Sequence, residues 1–409
     1  MNDFAIPAHV PKQLVSTTLW YGHRDLAGDP NAGLTAFYEG PRVVYLPANA
    51  RNPFGTWVLT RFEDIHKAFT DTEHFTSEHI AGFNVMTGMD ALLIPIEMDP
   101  PTHTKYRSLL APFFSPSAVK ALEPVMRRGV VDVVDKLVPL GRADVVPHGY
   151  KMMAAVWCEL MGAPYEKSDL YIRFLFEMLH QYDPRIRLQC ARDMLDEMKA
   201  LYRQSKRDAG SGLIARFVNS KIDGVEPSES ECAGLILFMF LAGIDTMGST
   251  ASWILRHLAL DADCRKSLVA DRSRIRPFVE EVLRRYAIVS TNRFVKADVA
   301  IGGVTLKTGD NVLLSTPLAC MDPARFAAAG EIRTDRKERH IAFGTGPHFC
   351  IGAGIARAQL PIMIEEWLAR IPDFEIEPGA QLTAHVGDVL GLDSLPLLWP
   401  GSSAANALN

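Results

Sequence analysis

A cysteine in the C-terminal part of the chain has the surroundings of a metal-binding thiolate. Cys350 lies within the string FGTGPHFCIG at positions 343–352, and a helix-forming run follows directly. The glycines permit a tight turn, and a thiol at a helix N-terminus faces unpaired N–H groups that lower its pKa. Such a thiolate is a ligand that a haem iron takes. For the residue taken alone, a buried structural cysteine is the alternative.

A second set of candidate residues interrupts the most apolar stretch of the chain. Residues 228–259 have helical spacing and are apolar nearly all round, which predicts a helix that is buried on most sides. In mid-run this helix carries Ala242, Gly243, Asp245 and Thr246. A buried acid is costly unless it is paired or functional, and small residues let a bulky group approach the backbone. From these residues alone, a glycine packing notch beside a solvent-reaching acid is an equally good interpretation.

Two further charged pairs have helical spacing. Glu281 and Arg284 are three residues apart, and His103 and Arg107 are four apart, so each pair shares one helix face. An ordinary surface ion pair would explain the first. Residues of the second pair could serve a buried carboxylate, which needs cationic or hydrogen-bonding partners.

The elements that position these residues are mostly helices. Apolar residues at helical spacing predict helices over 61–69, 117–137, 150–161, 188–204, 228–259, 275–286 and 352–371. Short apolar runs flanked by turn residues predict strands over 43–46 and 57–60. Runs 300–306 and 310–315 are predicted to pair as a hairpin. The sequence therefore predicts a mainly α protein with small β sheets.

The overall composition is that of a soluble globular protein. Of the 409 residues 48% are hydrophobic, and the net charge of −5 provides no general attraction for nucleic acid or anionic membranes. The N-terminal residues lack a signal-peptide pattern, and the longest run without polar side chains, 232–244, is too short to span a bilayer. The six cysteines have no disulfide or zinc spacing, so we expect reduced thiols and a cytoplasmic location.

The cysteine string resembles the haem-binding loop of the cytochrome P450 superfamily, Phe-x-x-Gly-x-x-x-Cys-x-Gly. The pairs Glu281–Arg284 and Asp245–Thr246 match two further motifs of that family. Shorter similarities run over nearly the whole chain and are closest to bacterial camphor-hydroxylase-like members. The resemblance implies one domain over 1–400, with a flexible tail at 401–409. It also implies the cytochrome P450 fold, with haem b between a long distal helix and the proximal cysteine-loop helix.

The resemblance also implies roles for individual residues. Cys350 would ligate the iron, Asp245 and Thr246 would deliver protons to dioxygen, and Glu281–Arg284 would be a buried structural pair. The haem would contact Ala242, Gly243, Phe343 and Gly344, and its propionates would be held by His103, Arg107, Arg293 and His348. The expected substrate pocket comprises Ala91, Leu93, Phe238, Leu241, Val289 and Val389.

The pocket departs from the camphor-hydroxylating pattern at one position. Where those enzymes have a tyrosine that hydrogen-bonds the substrate ketone, this chain has Ala91. Loss of a donor weakens the preference for a ketone. We therefore expect a small apolar alicyclic or terpenoid substrate other than camphor.

Electrons for such a reaction must come from another protein. The chain has no Gly-x-Gly-x-x-Gly nucleotide-binding motif after a strand, so it holds no flavin or nicotinamide domain. The resemblance implies an iron–sulfur ferredoxin and an NAD(P)H-dependent ferredoxin reductase. Steering of an acidic ferredoxin favours a basic docking face near Cys350, formed by Arg107, Arg336, Lys337 and Arg339. Two rival functions are a peroxide-driven peroxygenase and a non-catalytic haem-based sensor.

Overall fold

The computed structural model describes residues 6–16, 28–31, 33–48, 55–80, 92–180, 183–207 and 212–401. The predicted pocket residue Ala91 and nearly all of the predicted C-terminal tail lie outside the described residues. Two hydrophobic clusters form the core of the described part. The larger is helical, and the smaller lies around the N-terminal sheet.

Helices form most of the described chain. They are α1 (Thr35–Glu39), α2 (Phe62–Thr70), α3 (Thr102–Leu110), α4 (Pro116–Leu137), α5 (Val145–Met161), α6 (Ser168–Leu179), α7 (Pro184–Arg207), α8 (Leu213–Val218), α9 (Glu229–Phe240), α10 (Thr246–Leu260), α11 (Ala262–Ala270), α12 (Ile275–Arg285), α13 (Thr316–Cys320) and α14 (Ala353–Arg370). Each predicted helix has a counterpart in this set. The largest difference is the start of α5, where Asp144 accepts a hydrogen bond from the Val146 N–H and caps the helix five residues earlier than predicted.

The stretch predicted as one apolar helix is helical throughout. A capping box between Ser228 and Glu231 starts α9, and a π-helical segment, Leu241–Asp245, joins α9 to α10. The combined helix, Glu229–Leu260, is apolar and long enough to cross a membrane, but 83% of its most apolar window is buried inside the protein. It is therefore a core helix, and its one irregular segment coincides with the residues that could do chemistry.

The strands of the described residues belong to four small sheets. They are β1 (Val43–Leu46), β2 (Thr56–Leu59), β3 (Phe75–Thr76), β4 (Arg142–Asp144), β5 (Ser290–Val295), β6 (Val299–Ile301), β7 (Val304–Leu306), β8 (Asn311–Ser315), β9 (Glu375–Ile376), β10 (Ala384–His385), β11 (Gly391–Leu392) and β12 (Pro396–Leu398). The largest sheet has the order β1-β2-β8-β5-β3, in which only β2 and β8 are parallel among the described pairs. The smaller sheets are β4-β12-β9, β10-β11 and β6-β7.

The predicted hairpin between 300–306 and 310–315 is wrong. The hairpin lies within the first of these runs, where β6 and β7 pair across Gly302 and Gly303. Both glycines have positive φ, +59° and +86°, which is the backbone of a tight two-residue hairpin turn. The second run, β8, is buried along its whole length and joins the centre of the main sheet instead.

Candidate functional site

The cysteine loop is built by its backbone. Gly344 and Gly346 have φ of +66° and +73°, a conformation that favours glycine. A 3₁₀ turn, Gly346–His348, follows, and the Cys350 N–H donates to the Phe343 carbonyl at 2.9 Å. Helix α14 then begins at Ala353. The loop presents the Cys350 side chain to a large internal cavity.

The electrostatics of Cys350 differ from the expectation. Burial raises the pKa of this thiol, and that effect outweighs the backbone N–H groups of Gly352 and Ala353 and the charge of Arg107, which lower it. The helix N-terminus therefore contributes as predicted, but it does not make a thiolate without help. Metal coordination deprotonates a thiol outright, so the loop suits a site in which a cation completes the charge balance.

The cavity next to Cys350 has a volume of about 370 Å³ and lies where the two hydrophobic clusters meet. It brings together most of the residues singled out in the sequence. Those that line it are Leu93, His103, Arg107, Phe238, Leu241, Ala242, Asp245, Thr246, Val289, Arg293, Phe343, Gly344, His348, Cys350 and Val389. Segments far apart in the chain therefore form one site.

Three basic side chains in the cavity wall have nitrogen atoms without a partner. The rings of His103 and His348 lie 4.1 Å apart between centroids. Within the described part of the chain, neither nitrogen of His103, nor Nε2 of His348, nor Nη2 of Arg293 has a hydrogen-bond partner, although all are buried. Buried polar groups are normally satisfied, so these atoms indicate a missing ligand.

The charges of this cluster repel further protons. Burial, reinforced by Arg107 and Arg293, lowers the pKa of His103 to about 4. Burial and the same cations, together with His103, lower the pKa of His348 to about 2. Burial also lowers the pKa of Arg293 to about 10. An anionic ligand at this place would relieve the repulsion, and the two propionates of a haem are such a ligand.

Arg107 lies between the loop and the cavity. Its guanidinium donates to the Phe349 carbonyl, next to Cys350, and the side chain also lines the cavity. Arg107 is thus bonded to the loop that carries the thiol. It is not a freely protruding surface charge.

Arg336 does not belong to a surface patch, contrary to the sequence prediction. Its side chain is only 4% exposed and forms an ion pair with Glu281 at 3.2 Å. The prediction failed because position in the sequence near the loop does not report burial. Lys337 and Arg339 are exposed.

Asp245 is held by side chains that sequence reasoning missed. Its Oδ1 accepts a hydrogen bond from the Tyr150 hydroxyl at 3.1 Å and lies 3.1 Å from His180 Nε2. Its Oδ2 is buried and has no partner among the described residues. Tyr150 also contacts Ser249 at 3.0 Å, and burial raises its pKa well above the ordinary value, which keeps it a donor. The burial of the acid was a signal that partners must exist, but not which ones.

The contact with His180 continues toward the surface. The His180 ring lies 3.7 Å from that of His385 between centroids. His385 Nδ1 in turn lies 2.7 Å from Asp393, whose side chain is 40% exposed. Titratable groups thus extend from the exterior to the buried carboxylate of Asp245.

Thr246 follows the π-helical segment directly. Its hydroxyl donates to the Ala242 carbonyl at 2.6 Å, and both residues line the cavity. A π-helical turn displaces backbone groups from their usual partners, and it often marks a functional site. The hydroxyl is therefore fixed beside the cavity, one residue from the carboxylate of Asp245.

The expectation for Gly243 is wrong. A Cβ atom at this position would lie 2.1 Å from Cε2 of Trp157, so the missing side chain makes room for an indole and not for a haem. Gly243 is also not among the cavity-lining residues, whereas Ala242 and Trp157 are. Ala242 and Gly243 are both small, and the sequence alone does not show which of them faces the cavity.

Glu281 and Arg284 form a buried, doubly hydrogen-bonded pair. Their two contacts measure 2.9 and 3.0 Å, and the Arg284 side chain is fully buried. Arg284 also donates to the carbonyls of Cys320, Ala329 and Glu331. Burial by itself raises the pKa of Glu281, but hydrogen bonds from Arg284, Arg333 and Arg336 lower it overall. The pair thus fixes the segment that precedes the cysteine loop.

Comparison with known proteins identifies the family. The cytochrome P450 family model matches residues 150–381. A probable cytochrome P450 127A1 of Sinorhizobium fredii is 32% identical over 405 residues, which cover 96% of this chain and 97% of the relative. The crystal structure of cytochrome P450 CYP101C1 is similar with a TM-score of 0.87 and 26% identity, over 97% of this chain and 100% of that one. The chain belongs to the cytochrome P450 family.

A relative with a named activity is mycinamicin IV hydroxylase/epoxidase of Micromonospora griseorubida, which is 27% identical over 366 residues, or 86% of this chain and 92% of the relative. The predictions of the superfamily, the mainly α fold, the haem b cofactor and the monooxygenase class are confirmed. The unpartnered nitrogens and the cavity-facing thiol fit that cofactor.

Proposed function

We propose that this monooxygenase hydroxylates a small hydrophobic alicyclic or terpenoid compound in the cytoplasm, with electrons from an iron–sulfur ferredoxin. The observation that carries the proposal is one cavity that is lined both by a thiol and by an acid–alcohol pair. Cys350 opens onto it, and Asp245 and Thr246 line it. When bound, the haem supplies the redox chemistry that activates dioxygen.

Four residues would hold the haem carboxylates in this proposal. The unpartnered nitrogens of His103, Arg293 and His348 are donors or potential donors for propionate oxygens. Arg107 adds a positive charge beside them while its bond to Phe349 fixes the loop. Cys350 would ligate the iron, and Phe343 and Gly344 would line the cofactor on the same side.

Asp245 and Thr246 would move protons to dioxygen in the cavity. Cleaving the O–O bond takes protons in a place from which bulk water is excluded. The free Oδ2 of Asp245 can accept and pass on a proton, while Tyr150 and His180 hold the other oxygen. The Thr246 hydroxyl can donate and accept, and its bond to Ala242 sets its direction.

The pocket for substrate would be mainly apolar. Its proposed wall combines residues from four regions of the chain: Leu93, Phe238, Leu241, Val289 and Val389. Val289 and Val389 face each other in an isolated β-bridge, which gives this part of the wall a fixed spacing. An apolar wall binds by removing apolar surface from water, and it selects by shape.

The ferredoxin would dock on the surface nearest the thiol. Phe349 is 41% exposed beside Cys350, and Lys337 and Arg339 are exposed in the segment that leads to the loop. An acidic carrier would be attracted to such cations at low ionic strength. Charge reversal at Lys337 and Arg339 should slow ferredoxin-driven turnover at low salt, and the effect should fade as salt is added.

The test of the proposal is reconstitution with a ferredoxin, its reductase and a panel of terpenoids. We expect product that depends on ferredoxin and dioxygen. Asp245→Asn should slow product formation about 100-fold, because proton delivery contributes factors of this size. Thr246→Ala should keep oxygen consumption while less of it leads to product.

Two other outcomes would overturn the proposal. Equal turnover with hydrogen peroxide alone, unaffected by Asp245→Asn, would indicate a peroxygenase. Substrate binding without any product under either condition would indicate a haem-based sensor.

A further inference from the structure

An acidic residue in the cavity wall is not used by the reaction described above. Asp388 lies in the connection between strands β10 and β11, and it lines the cavity. Its carbonyl accepts a hydrogen bond from the Ser290 N–H at 2.9 Å, and the next residue, Val389, bridges to Val289. The backbone at Asp388 and at Val389 is thus bonded to the segment that begins β5, and these bonds fix the position of Asp388 in the wall.

The carboxylate of Asp388 is surrounded by protein but faces open space. The residue is exposed by surface area and lines the cavity, and desolvation raises the pKa of its carboxyl. The nearby carboxylate of Asp245 raises the pKa further, and the Arg187 guanidinium lowers it. The Nε of Arg187 donates to the Met178 carbonyl at 2.9 Å. No hydrogen bond to the Asp388 carboxylate is found among the described residues.

The surroundings of Asp388 make this carboxylate a recognition group. The cavity that Asp388 lines is also lined by the apolar side chains of Val289, Val389, Leu241 and Phe238. An acceptor without a partner in an apolar pocket is unfavourable, and a ligand that supplies a donor removes the penalty. Sites built around one buried polar group discriminate strongly against ligands that cannot pair with it.

We propose that Asp388 selects substrates that carry a hydrogen-bond donor, a hydroxyl or an ammonium group, on an apolar alicyclic skeleton. This inference rests on the proposed function and makes its substrate class narrower. A ketone or ether oxygen opposite a carboxylate finds no donor and is repelled. A donor bound to Asp388 fixes one end of the substrate in the cavity that Asp245 and Thr246 also line.

The experiment is an optical titration of the haem-loaded protein, in which the change of spin state reports dissociation constants. The probes share one bicyclic skeleton: borneol with a hydroxyl, camphor with a ketone, and camphane with neither. We expect borneol to bind about 10-fold to 100-fold more tightly than the other two, because a hydrogen bond to a charged group is worth that much. Bornylamine tests whether an ammonium group can be the donor in place of a hydroxyl. A spectral shift opposite to that of borneol would show that its amine binds the iron instead.

Variants of Asp388 connect the preference to this residue. Asp388→Leu should remove the advantage of borneol and improve binding of camphane. Asp388→Asn adds an N–H donor and should shift the preference toward camphor. Asp196→Asn is the matched control, since its carboxylate is 80% exposed on α7 and should leave all constants unchanged.

Equal affinities of the wild type for borneol, camphor and camphane would overturn the inference, as would a borneol preference that survives Asp388→Leu. In either case intact haem spectra and ferredoxin-driven hydroxylation of another terpenoid would leave the proposed function standing. Loss of turnover with every substrate, together with a retained borneol preference, would instead contradict the proposed function alone.

Discussion

The two walls of the cavity are held together in different ways. On the thiol side, short-range backbone contacts fix Cys350: two glycines of positive φ, one N–H to carbonyl bond and the start of α14. On the wall that contains Asp245 and Thr246, side chains from distant segments hold the functional groups. Tyr150, His180 and Asp388 belong to three separate parts of the chain and converge on Asp245 or its surroundings.

Because of this difference, the two walls should respond differently to substitution. A backbone-built loop tolerates little change, since its geometry depends on glycines and on buried carbonyl partners. A side-chain network can change one member at a time while the fold persists, and it can therefore be tuned for a particular substrate. We expect substitutions of residues that support the thiol side to affect folding, and substitutions on the wall around Asp245 to affect coupling and specificity.

The largest effect should follow from Arg284→Leu. The change leaves Glu281 buried with fewer partners and frees three carbonyls, two of them in the segment that leads to the cysteine loop. The free energy of unfolding should fall by about 3–5 kcal/mol, as for other broken buried pairs. Denaturant unfolding measures this. The surface pair Arg142–Glu377 supplies the control, because Arg142→Leu should cost about 1 kcal/mol or less.

Gly243→Ala should have the next largest effect on the free energy of unfolding. The added methyl group meets Trp157, and overpacking of this kind costs about 1–3 kcal/mol. The loss should be relieved in a Trp157→Leu background, which a double-mutant cycle measures. A loss of haem affinity that is the same in both backgrounds would show that Gly243 serves the cofactor after all.

Tyr150→Phe should have a smaller effect on stability and a clear one on coupling. The variant removes one donor from the buried Asp245, which costs about 1–2 kcal/mol. The share of reducing equivalents that ends in product should fall, while haem content stays normal. Tyr202→Phe on α7 is a control in which neither quantity changes. Unchanged coupling in Tyr150→Phe would remove Tyr150 from the proton-handling network.

The effect that should be smallest at neutral pH is that of His103, which appears as a pH dependence of the unfolding free energy of the protein after haem removal. His103 has a pKa of about 4 in the folded state, below its unfolded value of about 6.5, so the unfolded chain binds the extra proton first. The free energy of unfolding therefore falls as the pH drops from about 6.5 toward 4. The slope corresponds to the uptake of at most one proton on unfolding. Unfolding measured at several pH values should show a shallower slope for His103→Phe. An identical slope in the two proteins would mean that His103 is not buried in its neutral form.

The thiol side could be predicted from the sequence because its determinants are local. The ten residues 343–352 contain the thiol, the turn glycines and the helix start together. Even there, the lowering effect of the backbone N–H groups on the Cys350 pKa was predicted, but the larger effect of burial was not, since burial depends on the rest of the fold. The hairpin error has a similar origin, because Gly302-Gly303 is a local signal whereas the partner of β8 is not.

The wall around Asp245 could be predicted only in part. The burial of Asp245 followed from the apolar helix around it, but its partners lie 95 and 65 residues earlier in the chain. Asp388 escaped notice although its neighbour Val389 was placed in the pocket, because a lone acid in a loop is usually solvated. Gly243 was assigned the wrong neighbour, since the direction of a small residue depends on what packs against it.

Cys350 is proposed to ligate the iron as a thiolate, and the carbon monoxide spectrum of the reduced, haem-loaded protein reports this bond. We expect a strongly red-shifted band for the wild type. We also expect that Cys350→Ser lacks this band while Cys264→Ser, at a partly exposed thiol that is not among the cavity-lining residues, retains it. A wild-type protein without the band, or a Cys350→Ser protein that keeps it, would contradict the account.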